Sequence, residues 1–296
     1  MILAAIDIGS NAARLLISEA ALYKNGTVDY TKLTLLRIPL RLGFEVFEKG
    51  IISAEKQKQL MDTMKAYKLL MDIYKVESYR ACATSAMRDA KNGAQIIKDV
   101  LKETGINIEI IAGQEEANII YETHIAENLS SGKSYLYIDV GGGSTEVTLF
   151  SDNHIIFKES FNIGTIRLLN KSVTDEQWNH MKWYIKTHTA NLEPIVAIGS
   201  GGNINKIFSI SKKKEGKPLS LDLLKDYCRE LSASTVEERM HLYNFRADRA
   251  DVIVPALEIF VAIMRWSGAE EIYVPRIGLA DGLIKMQYAE RKKDLI

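Results

Sequence analysis

Two short segments constrain the fold more than any other part of the sequence. Ile6-Asp7-Ile8-Gly9-Ser10 and Ile138-Asp139-Val140-Gly141-Gly142-Gly143-Ser144-Thr145 each set an aspartate near the end of an apolar run and then turn on glycine. A second strand-like run follows each turn, Arg14 to Ser18 in the first case and Glu146 to Phe150 in the second. A Walker A loop or a dinucleotide fingerprint requires a helix at that point, because the N-terminal amides of the helix hold the phosphate. Here a strand follows, and the Gly141 to Thr145 segment lacks the P-loop lysine. The turns are better explained as hairpin tips whose backbone N–H groups form an anion-binding nest. Three consecutive glycines let that backbone approach a phosphate with no Cβ in the way. One such turn alone would read as a plain glycine-rich hairpin; two, with aspartate in the same place, favour phosphate. The aspartates stand 132 residues apart. A duplicated unit of that size predicts an α/β chain of two similar lobes that face each other, both turns aimed into a common cleft.

The rest of the sequence supports a duplicated α/β order. Ile2 to Ile6, Arg14 to Ser18 and Thr34 to Leu42 are expected to form an antiparallel meander, with Asn25-Gly26 as a turn. Ser53 is a good N-cap for a helix in which Leu60, Met64, Tyr67, Leu70, Met71 and Tyr74 recur at helical spacing. A strand at Ser78 to Ala83, a helix at Ala94 to Glu103, a strand at Asn107 to Ile111 and a helix from Gln114 complete the first half. Ser130-Ser131-Gly132-Lys133 is the best linker candidate. The pattern then restarts with strands at Tyr135 to Val140, Glu146 to Phe150 and His154 to Ser160. A helix begins at the capping-box spacing Thr174-x-x-Gln177. Pro194 to Ile198 is a further strand, Gly199-Ser200-Gly201-Gly202 a tight turn and Asn203 to Ile210 a helix. Ser211 to Pro218 reads as a lysine-rich surface loop. Helices at Leu219 to Leu231, Thr235 to Tyr243 and Asp251 to Trp266, a strand at Glu271 to Val274 and a closing helix from Asp281 finish the chain.

Composition narrows the function classes. The chain has 296 residues, 47% of them apolar, and 38 basic residues balance 38 acidic ones. It therefore has no global attraction for nucleic acid or anionic membrane, and a polyanion must be met by local charge. Cys82 and Cys228 lie far apart with no CxxC spacing, which argues against a disulfide framework or structural zinc and points to a reducing compartment. No uninterrupted apolar run approaches the ~20 residues of a membrane span. A cytoplasmic chain without signal or span is expected, with no nucleic-acid or membrane partner.

Asp7, Asp139 and Glu146 supply hard carboxylate oxygens at or near the two tips. Mg²⁺ takes one or two carboxylates, keeps several waters and bridges phosphate oxygens, and this set suits it, with Mn²⁺ as the alternative. An aspartate at a strand end, taken alone, is equally an ordinary turn residue. Glu115 and Glu116 open a helix, where one of two adjacent carboxylates can face inward as a base on water. Favourable charge at a helix N-terminus explains such a pair as well. Arg88, after a strand end, and Arg14, behind the first turn, offer forked guanidinium groups suited to phosphate or to a surface ion pair. The five histidines show no metal-ligand spacing, and Cys82 reads as core filling.

Taken together, Asp7-Ile8-Gly9-Ser10-Asn11, Ala83-Thr84-Ser85-Ala86-Met87-Arg88, Gly113-Gln114-Glu115-Glu116-Ala117 and Asp139 to Glu146 resemble the exopolyphosphatase and guanosine pentaphosphate phosphohydrolase (Ppx/GppA) family in order and spacing. The resemblance continues through Gly164-Thr165-Ile166-Arg167-Leu168. It implies two ribonuclease-H-like lobes of the actin-like ATPase superfamily around a central phosphate-binding cleft. The lobes would be 1–128, completed by a C-terminal helix over 281–296, and 129–280. It also implies Glu116, Glu146 and Asp139 as catalytic carboxylates, with Asp7, Asp139 and Glu146 as metal ligands. Ser10, Asn11, Arg88, Gly141, Gly142, Gly143, Ser144 and Thr145 would bind phosphate. The implied activity is metal-assisted release of terminal orthophosphate from polyphosphate or guanosine pentaphosphate, by a possible homodimer. Two alternatives accompany it. A kinase of the same fold would use Gly199 to Asn203 for a nucleobase pocket, and a non-catalytic sensor would bind an alarmone without turnover.

Overall fold

In the computed structural model, residues 1–294 are described except 25, 125–132, 153, 193 and 276. The chain divides into two compact units, Met1–Thr123 with Gly278–Ile296, and His124–Ile277. The expected lobe boundary after residue 128 and the Ser130-Ser131-Gly132 part of the linker lie outside the described residues, as does Asn25 of the first turn. Among the described residues no helix is long and apolar enough to cross a membrane.

The first unit runs β1 (Ile2–Ile8), β2 (Ala13–Leu22), β3 (Val28–Ile38), α1 (Leu42–Lys49), α2 (Ala54–Ile73), β4 (Ser78–Ala83), α3 (Ser85–Asp89), α4 (Gly93–Thr104), β5 (Ile108–Ile110) and α5 (Gly113–His124), and ends with α13 (Leu279–Asp294) from the far end of the chain. Its sheet has the order β3-β2-β1-β4-β5. The first three strands form the expected antiparallel meander, while β4 and β5 run parallel to β1 and β4 respectively. Strand β1 reads as a continuous apolar run because helices cover both of its faces. Ala4, Ile6 and Ile8 join the core that holds α2 and α4, whereas Leu3 and Ala5 join Leu279, Leu283 and Ile284 of α13. Ser53 caps α2, its hydroxyl accepting from the Lys56 amide.

The second unit runs β6 (Ser134–Val140), β7 (Thr145–Ser151), β8 (His154–Phe161), α6 (Thr165–Leu169), α7 (Asp175–Thr189), β9 (Ile195–Ser200), α8 (Gly202–Ile210), β10 (Leu219–Ser220), α9 (Leu221–Ser232), α10 (Val236–Tyr243), α11 (Ala247–Ala250), α12 (Ile253–Ser267) and β11 (Glu271–Tyr273). The strand order is β10-β11-β9-β6-β7-β8. Without β10, this is the order and sense of the first sheet, so the duplication read from the two glycine turns extends to five strands per unit. Leu136 and Ile138 of β6, Val147 and Leu149 of β7, and Phe157 and Phe161 of β8 face one large core with the apolar helix α12. By strand alternation Asp139, Glu146 and Ser160 face the other way.

Several expectations need correction. Thr34 to Leu42 is not one strand: β3 stops at Ile38, Arg41 adopts a left-handed conformation (φ 57°), and Leu42 opens α1. Leu42 and Val46, four residues apart, bury one helical face there. The turn expected over Gly199 to Gly202 is shorter, because β9 continues through Ser200 and only Gly201 (φ 100°) breaks direction before α8. Leu219 and Ser220 pair with β11 before α9 begins. Helices α3 and α6, five residues each, were not anticipated, since so short a segment carries no periodicity.

Candidate active site

In the second unit, strand register builds a row of four side chains. Asp139 on β6 lies directly opposite Glu146 on β7, Glu146 opposite Ser160 on β8, and Asp139 beside Ser200 on β9. Register partners share a face, so two carboxylates stand side by side between two hydroxyls. The Ser200 hydroxyl donates to Asp139 Oδ1 at 2.6 Å and the Ser160 hydroxyl donates to Glu146 Oε1 at 2.8 Å. Carboxylate oxygens of Asp139 and Glu146 come within 4.8 Å of each other. Glu146 is only 3% exposed, so water screens this like-charge pair poorly. A pair so placed has the oxygen donors that a hard cation takes.

The turn beside this row has its carbonyls tied down from behind. Thr165 and Ile166, at the start of α6, donate their amides to the carbonyls of Gly141 and Gly142 at 3.0 and 2.8 Å, and Arg167 Nε donates to the Gly143 carbonyl at 2.7 Å. Among the described residues the amides of Gly142, Gly143 and Ser144 donate to no backbone carbonyl. With its carbonyls engaged from one side, the turn leaves these amides in the arrangement of a nest. Gly164 makes the arrangement possible: a Cβ there would lie 2.5 Å from the Gly142 carbonyl oxygen. Thr145 is fully buried and its hydroxyl donates to the Ile163 carbonyl at 2.6 Å, so this side chain fastens the turn to its support.

The first unit repeats the construction with different chemistry. Gly43 and Arg41 donate amides to the carbonyls of Ser10 and Asn11 at 2.8 and 2.9 Å, so α1 supports this turn as α6 supports the other. The Ser10 hydroxyl is buried and shares a hydrogen bond with the Ser85 hydroxyl at 2.8 Å. Asp7 occupies the register position of Asp139, but opposite it stands Arg14 where the second unit has Glu146. The Arg14 Nη1 donates to Asp7 Oδ2 at 2.5 Å. An arginine neutralises this carboxylate locally, and the expected metal-ligand role of Asp7 competes with that ion pair. Cys82, in the place of Ser200, is fully buried; burial pushes its thiol up to about 12, which keeps it protonated and fits core filling. Burial, reinforced by the nearby Asp7 charge, also raises the Tyr67 phenol, which donates to the Ala13 carbonyl at 3.0 Å.

Glu115 and Glu116 sit in the first turn of α5, and Ile119 of that helix packs in the same core as Leu3 and Ala5. The two carboxylates have different surroundings. Glu115 is exposed and pairs with Arg80, which also holds Glu109, whereas Glu116 is half-buried. Arg88 lies on α3, and its Nη1 donates to the Ile111 carbonyl at 3.0 Å, fastening the connection that leads into α5. The first unit thus gathers Asp7, Ser10, Asn11 and Arg14 at one tip and ties Arg88 to the Glu116 helix. Sequence reasoning missed Ser160, Ser200 and the support from Arg167. Ser200 stood in a glycine-rich segment; Ser160 carried no signal other than its register position.

The Ppx/GppA phosphatase family matches residues 23–289. The chain belongs to this family. It is similar to exopolyphosphatase 2 of Mycobacterium tuberculosis, with 26% identity over 95% of this chain and 96% of that one. It is also similar to the guanosine-5'-triphosphate,3'-diphosphate pyrophosphatase of Aeromonas hydrophila, with 24% identity over 95% of this chain. The chain spans 58% of that protein and 44% of a Fusobacterium nucleatum bifunctional 3-dehydroquinate synthase/phosphatase to which it is 28% identical. Among solved structures, the Ppx/GppA family member of Aquifex aeolicus superposes with a TM-score of 0.75 and 25% identity over 98% of both chains. An exopolyphosphatase from Cytophaga hutchinsonii has the same fold, with a TM-score of 0.83 at 24% identity over 98% of both chains. The fold is therefore the ribonuclease-H-like, actin-like ATPase fold expected from the sequence.

Proposed function

We propose that this chain is a phosphohydrolase that releases terminal orthophosphate from inorganic polyphosphate or guanosine pentaphosphate by attack of water. The observation that carries the reading is the Asp139–Glu146 pair, set beside a turn whose amides suit an anion. Membership of a phosphatase family and the named activities of the relatives support it. The donor chemistry fits a hard divalent cation, because both groups are carboxylates and each keeps one oriented by a serine hydroxyl. Asp139 and Glu146 would hold Mg²⁺ or Mn²⁺. When bound, such an ion offsets charge on phosphate oxygens and favours attack at phosphorus.

The remaining steps are assigned to the chain's own groups. Glu116 takes the proton from water as its oxygen bonds to the terminal phosphorus, while the bond from that phosphorus to the bridging oxygen breaks. The amides of Gly142, Gly143 and Ser144 stabilise charge developing on the phosphoryl oxygens, because they are fixed before the reaction begins. Ser10 and Asn11 are assigned to a further phosphate. Arg88 is given the same role, with one arm of its guanidinium retained by Ile111.

The test is phosphate release by the purified protein from tripolyphosphate, long-chain polyphosphate, guanosine pentaphosphate and ATP, with Mg²⁺ and after chelation. Release from the polyphosphates or the pentaphosphate that stops on chelation and returns with Mg²⁺ is expected. Transfer from ATP to an acceptor would favour the kinase, and binding of the pentaphosphate without turnover would favour the sensor. Ser200→Ala is expected to lower kcat about tenfold with little change in KM, because Asp139 loses its oriented donor while the turn is untouched. An unchanged kcat would show that the hydroxyl does not position the carboxylate.

A further inference from the structure

The lysine-rich loop after α8 is not used by the chemistry above. Lys212, Lys213, Lys214 and Lys217 share six residues with the single acid Glu215, and all of them are exposed. Among the described residues none of these lysines takes part in an ion pair. The Lys217 amide donates to the Lys214 carbonyl at 3.1 Å and Gly216 turns at φ 75°, so the charges are held close together.

Two more cations, Arg249 and Lys206, lie beside the helix α8 that leads to the loop. That helix starts beside Asp139, where a Cβ on Gly201 would lie 3.1 Å from Asp139 Oδ1. At its first turn Arg249 Nη1 donates to Asn203 Oδ1 at 2.7 Å, and its guanidinium packs against Gly202. One turn on, Lys206 Nζ lies 5.2 Å from the centroid of the Phe245 ring. The lysine loop begins where the helix ends, about 13 Å from its start at the usual rise per residue. A cation near a helix C-terminus complements the macrodipole, but one lysine would serve that purpose.

We propose that Arg249, Lys206 and the Lys212 to Lys217 loop bind the trailing part of a linear polyphosphate chain whose end is engaged beside Asp139 and Glu146. This rests on the phosphohydrolase reading and names long polyphosphate as a substrate. The loop offers repeated charge, and residues 211–218 contain no aromatic side chain on which a nucleobase could stack. An inorganic chain needs only the charge.

The experiment compares the protein with a Lys212→Gln, Lys213→Gln, Lys214→Gln, Lys217→Gln variant. KM for long-chain polyphosphate is expected to rise about tenfold, with a shallower salt dependence, while KM for tripolyphosphate stays the same. Direct binding of end-labelled long-chain polyphosphate, read by anisotropy without Mg²⁺, should weaken in parallel. If neither protein turns over any polyphosphate, the phosphohydrolase reading fails, and the binding measurement still decides the loop. Equal binding of the long chain by both proteins would overturn the inference. So would an equal loss on tripolyphosphate, a fall in thermal stability that accounts for the weaker binding, or equally tight binding of single-stranded RNA.

Discussion

Glu116→Gln is expected to lower phosphate release by about 10²- to 10⁴-fold, the usual span for loss of a general base. Glutamine keeps the size and the hydrogen-bonding reach of the side chain but accepts no proton from water. Glu116 is assigned the role rather than its neighbour because Arg80 holds Glu115, together with Glu109, in exposed ion pairs. Glu115→Gln should therefore leave kcat within about twofold, since an exposed pair of this kind contributes little. Phosphate binding should survive in Glu116→Gln, as the turn amides are not altered. The readout is kcat together with product-phosphate affinity by calorimetry. Loss of both would make Glu116 a binding group, and a Glu115 variant that loses the activity instead would reverse the assignment.

Much of this arrangement was legible because it is local. An apolar run, an aspartate and a glycine turn define a strand pair from adjacent residues, and comparing the two copies gave the duplication. Ser53 and Thr174 marked helix starts for the same reason, since each cap lies three residues from the amide it accepts from. What was not legible depends on pairing between distant segments. Ser200 reaches Asp139 across 61 residues, and Gly164 must be small because Gly142 approaches it. The sequence showed an aspartate in each copy without showing that one faces Arg14 and the other Glu146. Register makes the first an ion pair and the second a pair of like charges, although the two motifs look alike.

That difference leads to the second large effect. Two ionised carboxylates at 4.8 Å, the distance within which oxygens of Asp139 and Glu146 approach, repel by about 3 kcal/mol at an effective dielectric of about 20, before the serine donors offset part of it. Glu146→Gln removes the repulsion while its amide oxygen still accepts from Ser160. In the absence of divalent metal the variant is expected to melt a few degrees higher than the parent, about 1 kcal/mol of added stability. Mg²⁺ should raise the melting temperature of the parent and not that of the variant, because binding to the native state is what stabilises it. Phosphate release should fall by at least about a hundredfold for want of the cation that offsets phosphate charge. Stability and activity therefore move in opposite directions, as expected where a site retains repulsion for use. Paired thermal melts with Mg²⁺ and with chelator decide the matter. A variant that melts lower without metal and still responds to Mg²⁺ would make Glu146 a structural partner of Ser160, with the cation held elsewhere.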